Sequence, residues 1–149
     1  MKLKFTFVVP VNDMIVAENN ILASPLFSIL EGKEILIQKN YSSASRAYND
    51  AIDKAKSDII IFVHQDIILP MKWSDELIQC LTLLESEDPN WGVLGCYGET
   101  EQGEGRGYLY CAGNNSYIGK YSRMPHKVQT LDEIILIIRK SYDFLIFIN

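Results

Sequence analysis

Residues 57 to 70, SDIIIFVHQDIILP, constrain the fold more than any other stretch of this chain. Five apolar residues, Ile59 to Val63, run into His64-Gln65-Asp66 and then into Ile67-Ile68-Leu69 before Pro70 ends the pattern. A short β-branched run that is apolar on both faces predicts a buried central strand of a parallel sheet, because a strand with one wet face would alternate. His64 to Asp66 then stand where that strand leaves the sheet. Ligands of open α/β sheets bind at the carboxyl ends of strands, so this corner is the first place to look for chemistry.

The flanking segments supply partners for such a strand. Phe5 to Val11 predicts another apolar strand, with Asn12 and Asp13 placed to cap a helix over Met14 to Leu30 that is interrupted near Pro25. Glu34 to Gln38 predicts a further short strand. Over Ser42 to Lys56, Ala44, Ala47, Tyr48, Ala51, Ile52 and Ala55 fall on one stripe of a 3.6 period, with Ser42 or Ser43 as N-cap. Strand, helix and central strand in that order make a βαβ unit, which crosses over right-handed. After Pro70 the spacing of Trp73, Leu77, Cys80, Leu81 and Leu84 predicts a second helix, with Asp75 and Glu76 favourably placed in its first turn.

The remainder reads differently. Trp91 to Tyr97 predicts a strand, and Gly98 to Gly107, with four glycines and three glutamates and no periodicity, predicts a mobile loop. Tyr108 to Ile118 adds a strand and a turn at Gly113-Asn114-Asn115. Lys127 to Leu131 and Ile134 to Arg139 predict two strand segments flanking Asp132-Glu133. A βαβ-rich first half followed by a β-rich second half suggests a nucleotide-binding α/β half, residues 1–98, carrying a smaller mixed or antiparallel half, residues 99–149.

At 149 residues and 48% apolar content the chain has the size of one domain with a genuine core. The net charge of −5 and sequence pI near 5.0, with scattered Lys and Arg, argue against a broad nucleic-acid surface. Cys80, Cys96 and Cys111 show no CxxC spacing and no nearby His, which argues against zinc and points to a reducing cytoplasm. The opening MKLKFTFVVPVND breaks at Pro10 without a small-residue cleavage site, and no stretch approaches the ~18 apolar residues of a membrane span.

Four pieces, FTFVVPVND (5–13), SRAYNDAIDKAKSDIIIFVHQDI (45–67), WGVLGCYG (91–98) and VQTLDEIILIIRK (128–140), resemble in that order the family 2 glycosyltransferases, within them the subset carrying His-Gln-Asp after the central strand. The resemblance implies a GT-A-like, Rossmann-like α/β/α sandwich with a mostly parallel central sheet and a small β-rich C-terminal part. It implies transfer of a sugar from a nucleotide diphosphate sugar to a saccharide or glycoconjugate acceptor in polysaccharide biosynthesis, assisted by Mn2+ or Mg2+. Asp66 matches the second aspartate of the family's Asp-x-Asp metal motif, with His64 at the first; one or two carboxylates plus phosphates suffice for such ions. Val9, Pro10 and Asn12 align with the edge that lines base and ribose. Gln38, Lys39 and Asn40 stand where most members have an acidic loop, and Asn49, His64 and Gln65 match further donor-side positions. Asp132, with Glu133, corresponds to the segment beside the acceptor, which makes Asp132 the candidate catalytic residue. The family's base lies on a later acidic motif that SYDFLIFIN (141–149) does not continue, so the chain reads as a shortened form, either a transferase or a non-catalytic nucleotide-sugar-binding module.

Each assignment has a plainer counterpart. Asp66 after a buried strand also reads as a turn or cap residue, and Asp132-Glu133 as a hairpin turn between two apolar runs. Asn12-Asp13 can do no more than start a helix. Trp73 and Trp91 read most simply as core anchors.

Overall fold

The computed structural model describes residues 4–140; the tail 141–149, with the expectations placed on it, lies outside them. In the first half, strand β1 (Phe5–Val11) leads to helix α1 (Met14–Asn19), a 3-10 turn (Ile21–Ala23) and helix α2 (Pro25–Ile29). Strand β2 (Glu34–Lys39), helix α3 (Ala44–Lys54), strand β3 (Ile59–Val63) and helix α4 (Trp73–Glu87) follow. The helix expected over Met14 to Leu30 with an interruption near Pro25 is three short pieces, broken at Asn20 as well as ahead of Pro25. Asn20 and Ser24 each sit between two of them, outside helical backbone geometry, and Pro25 restarts the chain at the head of α2.

Among its described residues the second half contains strands alone: β4 (Val93–Gly95), β5 (Tyr97–Glu99), β6 (Gly105–Cys111), β7 (Ser116–Lys120), β8 (Thr130–Leu131) and β9 (Ile135–Arg139). Two sheets result, one in the order β2-β1-β3-β9-β4 and one in the order β7-β6-β5-β8. β1 pairs in parallel with β2 and with β3, but β9 enters between β3 and β4 antiparallel to both. The second sheet is antiparallel throughout.

The expected mostly parallel, Rossmann-like GT-A sandwich is thus not the fold; the molecule is a mixed α/β structure with two sheets. The physical reason lies in the connections. Parallel neighbours need a crossover of a dozen residues or more, generally a helix, and no helix is found between α4 and Lys140. The short turns between β5 and β6 and between β6 and β7 accordingly make antiparallel pairs, and β9 enters the first sheet with no helical crossover from β4. The stretch expected as one strand, Trp91 to Tyr97, changes sheet at Cys96. The expected mobile loop, Gly98 to Gly107, instead contains most of β5 and the start of β6, around a turn in which Gly103 N–H donates to Thr100 O at 2.9 Å.

The transfer between sheets is a two-stranded affair. β4 pairs with β9 in the first sheet and their neighbours β5 and β8 pair in the second, so one bent ribbon belongs to both. Asp132 N–H donates to Tyr97 O at 3.0 Å at the bend. Close backbone approach there demands glycine: Gly107 has φ +105°, and a Cβ on it would lie 2.0 Å from the carbonyl oxygen of Cys96.

The first sheet is covered on both faces. On one, Phe5, Phe7, Val9, Ile59, Ile61 and Val63 pack with Ala17, Ile21, Leu26, Leu77, Leu81 and Trp91. Phe7 meets Phe27 edge-on at 4.9 Å, and Trp73 packs against the same cluster at 6.3 Å from Phe7. On the other face the α3 stripe, Tyr48, Ala51 and Ala55, covers Val8, Ile60, Phe62 and Ile138. Trp91 is buried, its Nε1 donating to Glu85 at 3.2 Å while the Arg139 guanidinium lies 4.9 Å from its ring.

Candidate functional site: the carboxyl edge of the parallel strands

β1, β2 and β3 point their carboxyl ends the same way, and a cleft of about 350 Å³ opens there. Its walls include Pro10, Val11 and Asn12 from the end of β1, Gln38 from β2, and His64, Gln65 and Asp66 after β3. The head of α3 closes it with Ser43, Ala44 and Ala47, and Tyr41 stands in the preceding turn. A βα unit delivers this arrangement by construction, since the helix that follows a parallel strand starts at the strand's carboxyl end.

Gln65 holds the cleft together. Its side-chain oxygen accepts from the backbone N–H groups of Asn12 at 3.1 Å and Asp13 at 3.2 Å, while its Nε2 donates to Asn12 Oδ1 at 2.5 Å. Its carbonyl accepts from Ile21 N–H at 3.4 Å. One residue after β3 thereby fixes the turn after β1, and Asp13 is left to cap α1 through Ile15 N–H at 2.9 Å and Val16 N–H at 3.3 Å. His64 is half-buried, and its N–H donates to Ile134 O at 3.1 Å, which ties the cleft to the turn before β9. Asp66 is exposed.

The far wall is built on Asp50 of α3. Lys54 Nζ donates to its Oδ2 at 2.6 Å, the Tyr41 hydroxyl donates to the same oxygen, and Gln38, buried at the end of β2, adds a side-chain hydrogen bond. The Lys54 bond first, then the Tyr41 bond, hold the Asp50 carboxyl below the usual carboxylate range. The same carboxylate pushes the Tyr41 hydroxyl up. Ser43 caps α3, its hydroxyl accepting from Arg46 N–H at 3.3 Å, and no carboxylate occupies the first turn of this 11-residue helix. Its partial positive end therefore faces the cleft uncompensated by its own side chains, a setting that favours an anionic group.

Of the residues read from sequence, Pro10, Asn12, Gln38, His64, Gln65 and Asp66 are brought together around the cleft. Val9 lies in the core beneath it and is fully buried. Asn40, at φ +65°, shapes the turn after β2, and Asn49 is half-buried on α3; neither lines the cleft. Asp132 does not line it either. Its carboxylate accepts from Ile134 N–H at 2.9 Å in the turn between β8 and β9, which belong to different sheets and form no hairpin. Tyr41, Ser43 and Ala44 were not singled out as ligand-facing residues. The available signal was the N-cap serine itself, which marks where a helix head meets the strand edge.

Among the described residues no group of three or more His, Cys, Asp and Glu side chains is gathered to hold a metal ion. The cleft offers the single carboxylate of Asp66 and the imidazole of His64, a donor set that does not fit a protein-held centre. Cys80, Cys96 and Cys111 are free thiols, and burial pushes Cys96 up to about 12. No helix of the described residues is long and apolar enough to cross a membrane.

No protein-family model matches the chain, and no curated protein matches it either. Among solved structures the chain is similar to the crystal structure of A197 from STIV, with a TM-score of 0.48 and 12% identity over 94% of this chain. The match spans 66% of that structure's length. A likeness so remote carries no argument about function. The resemblance to family 2 glycosyltransferases is overturned by these findings together with the mixed sheet: four short matched pieces reflect apolar strands and an alanine helix, which many α/β chains share.

Proposed function

We propose that the cleft binds a nucleotide diphosphate sugar and presents it for transfer to a saccharide or glycoconjugate acceptor. The observation that carries this reading is the pairing, in one opening, of an uncompensated helix head at Ser43 and Ala44 with the polar corner His64-Gln65-Asp66 at the carboxyl edge of three parallel strands. The helix head suits a diphosphate. The ring of Tyr41 at the lip and the amide of Asn12 suit a nucleoside. A divalent ion enters only as a passenger on the diphosphate, with Asp66 the one carboxylate available to it.

A second reading, nucleotide-sugar binding without turnover, is favoured by the state of Asp132, whose carboxylate is engaged with Ile134 N–H. Calorimetric titration with UDP, GDP and their sugars, with and without Mn2+, separates the two when coupled to an assay for sugar release. Binding that weakens in Asp66→Ala and Ser43→Ala, together with released sugar, supports transfer. Binding without release supports the second reading. Indifference to every nucleotide, in either metal condition, rejects both.

A further inference from the structure

Each sheet ends in two open edges among the described residues, β2 and β4 in the first and β7 and β8 in the second. An open edge offers a row of unpaired N–H and C=O groups to any other strand, and natural edges are blunted by shortness, charge, proline or distortion. Three of the four are blunted here. β4 has three residues and ends in Gly95, and β8 has two. β7 is interrupted by Gly119 at φ +83° and closes on Lys120, while its Tyr117 is stacked on Tyr108 of β6 at 4.6 Å and 5°.

β2 has none of these defences. Its six residues, EILIQK, contain no glycine and no proline, and no strand pairs its outer side among the described residues. Its charges stand at the two ends. Glu34 is drawn into its own chain, where it accepts from the Thr6 hydroxyl at 2.8 Å and from Lys56 N–H at 2.9 Å. Ile35 to Gln38 are uncharged. Ile35 and Ile37 are the register partners of Phe7 and Val9, so they point to the sheet face that α2 covers. Ile37 is nevertheless 39% exposed, and Ile29 at the end of α2 is 53% exposed.

We infer that β2 pairs with β2 of a second copy, antiparallel about a two-fold axis, and so joins two five-stranded sheets into one. A two-fold normal to the sheet keeps like faces together, so residues opposite one another must be an even number of positions apart. Only registers centred on Leu36 or on Ile37 then pair five residues of each strand. Centred on Ile37, the strands set Ile37 against the partner's Ile37, Leu36 against the partner's Gln38, and Ile35 against the partner's Lys39, whose aliphatic stem covers it. No like charges meet. Centred on Leu36, they would set Lys33 against the partner's Lys39, and like charges directly opposite are destabilising. The edge is thus complementary to itself in one full-length register, which commits it to a second copy over a foreign strand. The pairing is independent of what the cleft holds, although β2 contributes Gln38 to the cleft wall.

Light scattering across a concentration series of the full chain tests it. The expected result is a reversible dimer whose β2 amides exchange more slowly as concentration rises. Ile37→Lys places two like charges on the axis and weakens association about a hundredfold, while Ile118→Lys, the matching change on the β7 edge, leaves it unaltered. Under mild oxidation Ile37→Cys, which brings identical residues together on the axis, links two chains more fully than Ile35→Cys does. Where the circular dichroism of Ile37→Lys departs from that of the parent, this cysteine pair decides. A single-chain mass at every concentration overturns the inference. So do a dimer indifferent to Ile37→Lys, one that Ile118→Lys disrupts equally, or linkage through Ile35→Cys that matches or exceeds that through Ile37→Cys.

Discussion

Every residue of β3 is buried, whereas four of the five residues of β7 are exposed, and the two strands differ as much in sequence as in surroundings. IIIFV has an apolar side chain on both faces of the sheet and meets helices on both; SYIGK interleaves a tyrosine, a glycine and a lysine and meets solvent. In the first sheet stability comes from removal of apolar area from water, distributed over two clusters. In the second it rests more on backbone ladders, tight glycine contacts and ring pairs. A core of the first kind responds to lost volume and a sheet of the second kind to lost geometry.

That contrast can be broken most directly at Ile61, which is fully buried in β3. Ile61→Ala should cost about 2–5 kcal/mol in urea unfolding, while Ile118→Ala, at an exposed position of β7, should stay within about 0.5 kcal/mol. Equal losses would show that the second sheet hides a core of its own. Gly107→Ala tests the geometric side: with φ +105° and Cys96 O where the methyl must go, a loss of about 1–3 kcal/mol is expected. Hydrogen exchange should accelerate in β5 to β7 and remain slow in β1 and β3.

A smaller effect is expected where the cleft is pinned. Gln65→Ala removes the acceptor of the Asn12 and Asp13 amides and should cost about 1–2 kcal/mol, with faster exchange at those two amides as the diagnostic. Least at neutral pH is Tyr48→Phe. Burial foremost, then the charge of Glu133, push the Tyr48 hydroxyl up to about 12. The folded state thus holds that proton more tightly than the unfolded chain does. The associated stability is fully present below the ordinary tyrosine range near 10 and is lost as pH rises through about 12. Alkaline unfolding of Tyr48→Phe should therefore begin at higher pH than in the parent.

How much of this was legible in the sequence follows the same division. β1 was expected over Phe5 to Val11 and is found there; Ile59 to Val63 is fully buried, and the Ala47-Tyr48-Ala51 stripe of α3 packs on the sheet as its period required. The parallel βαβ unit and the antiparallel second sheet follow the sequence reading, but the antiparallel insertion of β9 into the first sheet was not legible, because an apolar run states that a strand is buried and nothing about which way it runs. Ile135–Arg139 accordingly passed for an ordinary strand and proved to be the antiparallel member beside β3. Gly98 to Gly107 lacked any alternation from which its strands could be read, since glycine presents no side chain to either face. At the cleft the strand ends were placed from sequence, but the bond between Gln65 and Asn12 joins residues 53 apart and leaves no local trace.

The bent ribbon shared by the sheets has a consequence for how such a chain can vary. β6 pairs with β5 of that ribbon and β7 pairs with β6, so the hairpin tip, Ala112 to Asn115, is built two strands out from the ribbon anchored in the first sheet. Lengthening that tip adds only the slowly growing entropy of a larger loop. The hairpin can therefore acquire or shed reach over generations while the strand edge beneath His64 keeps its shape.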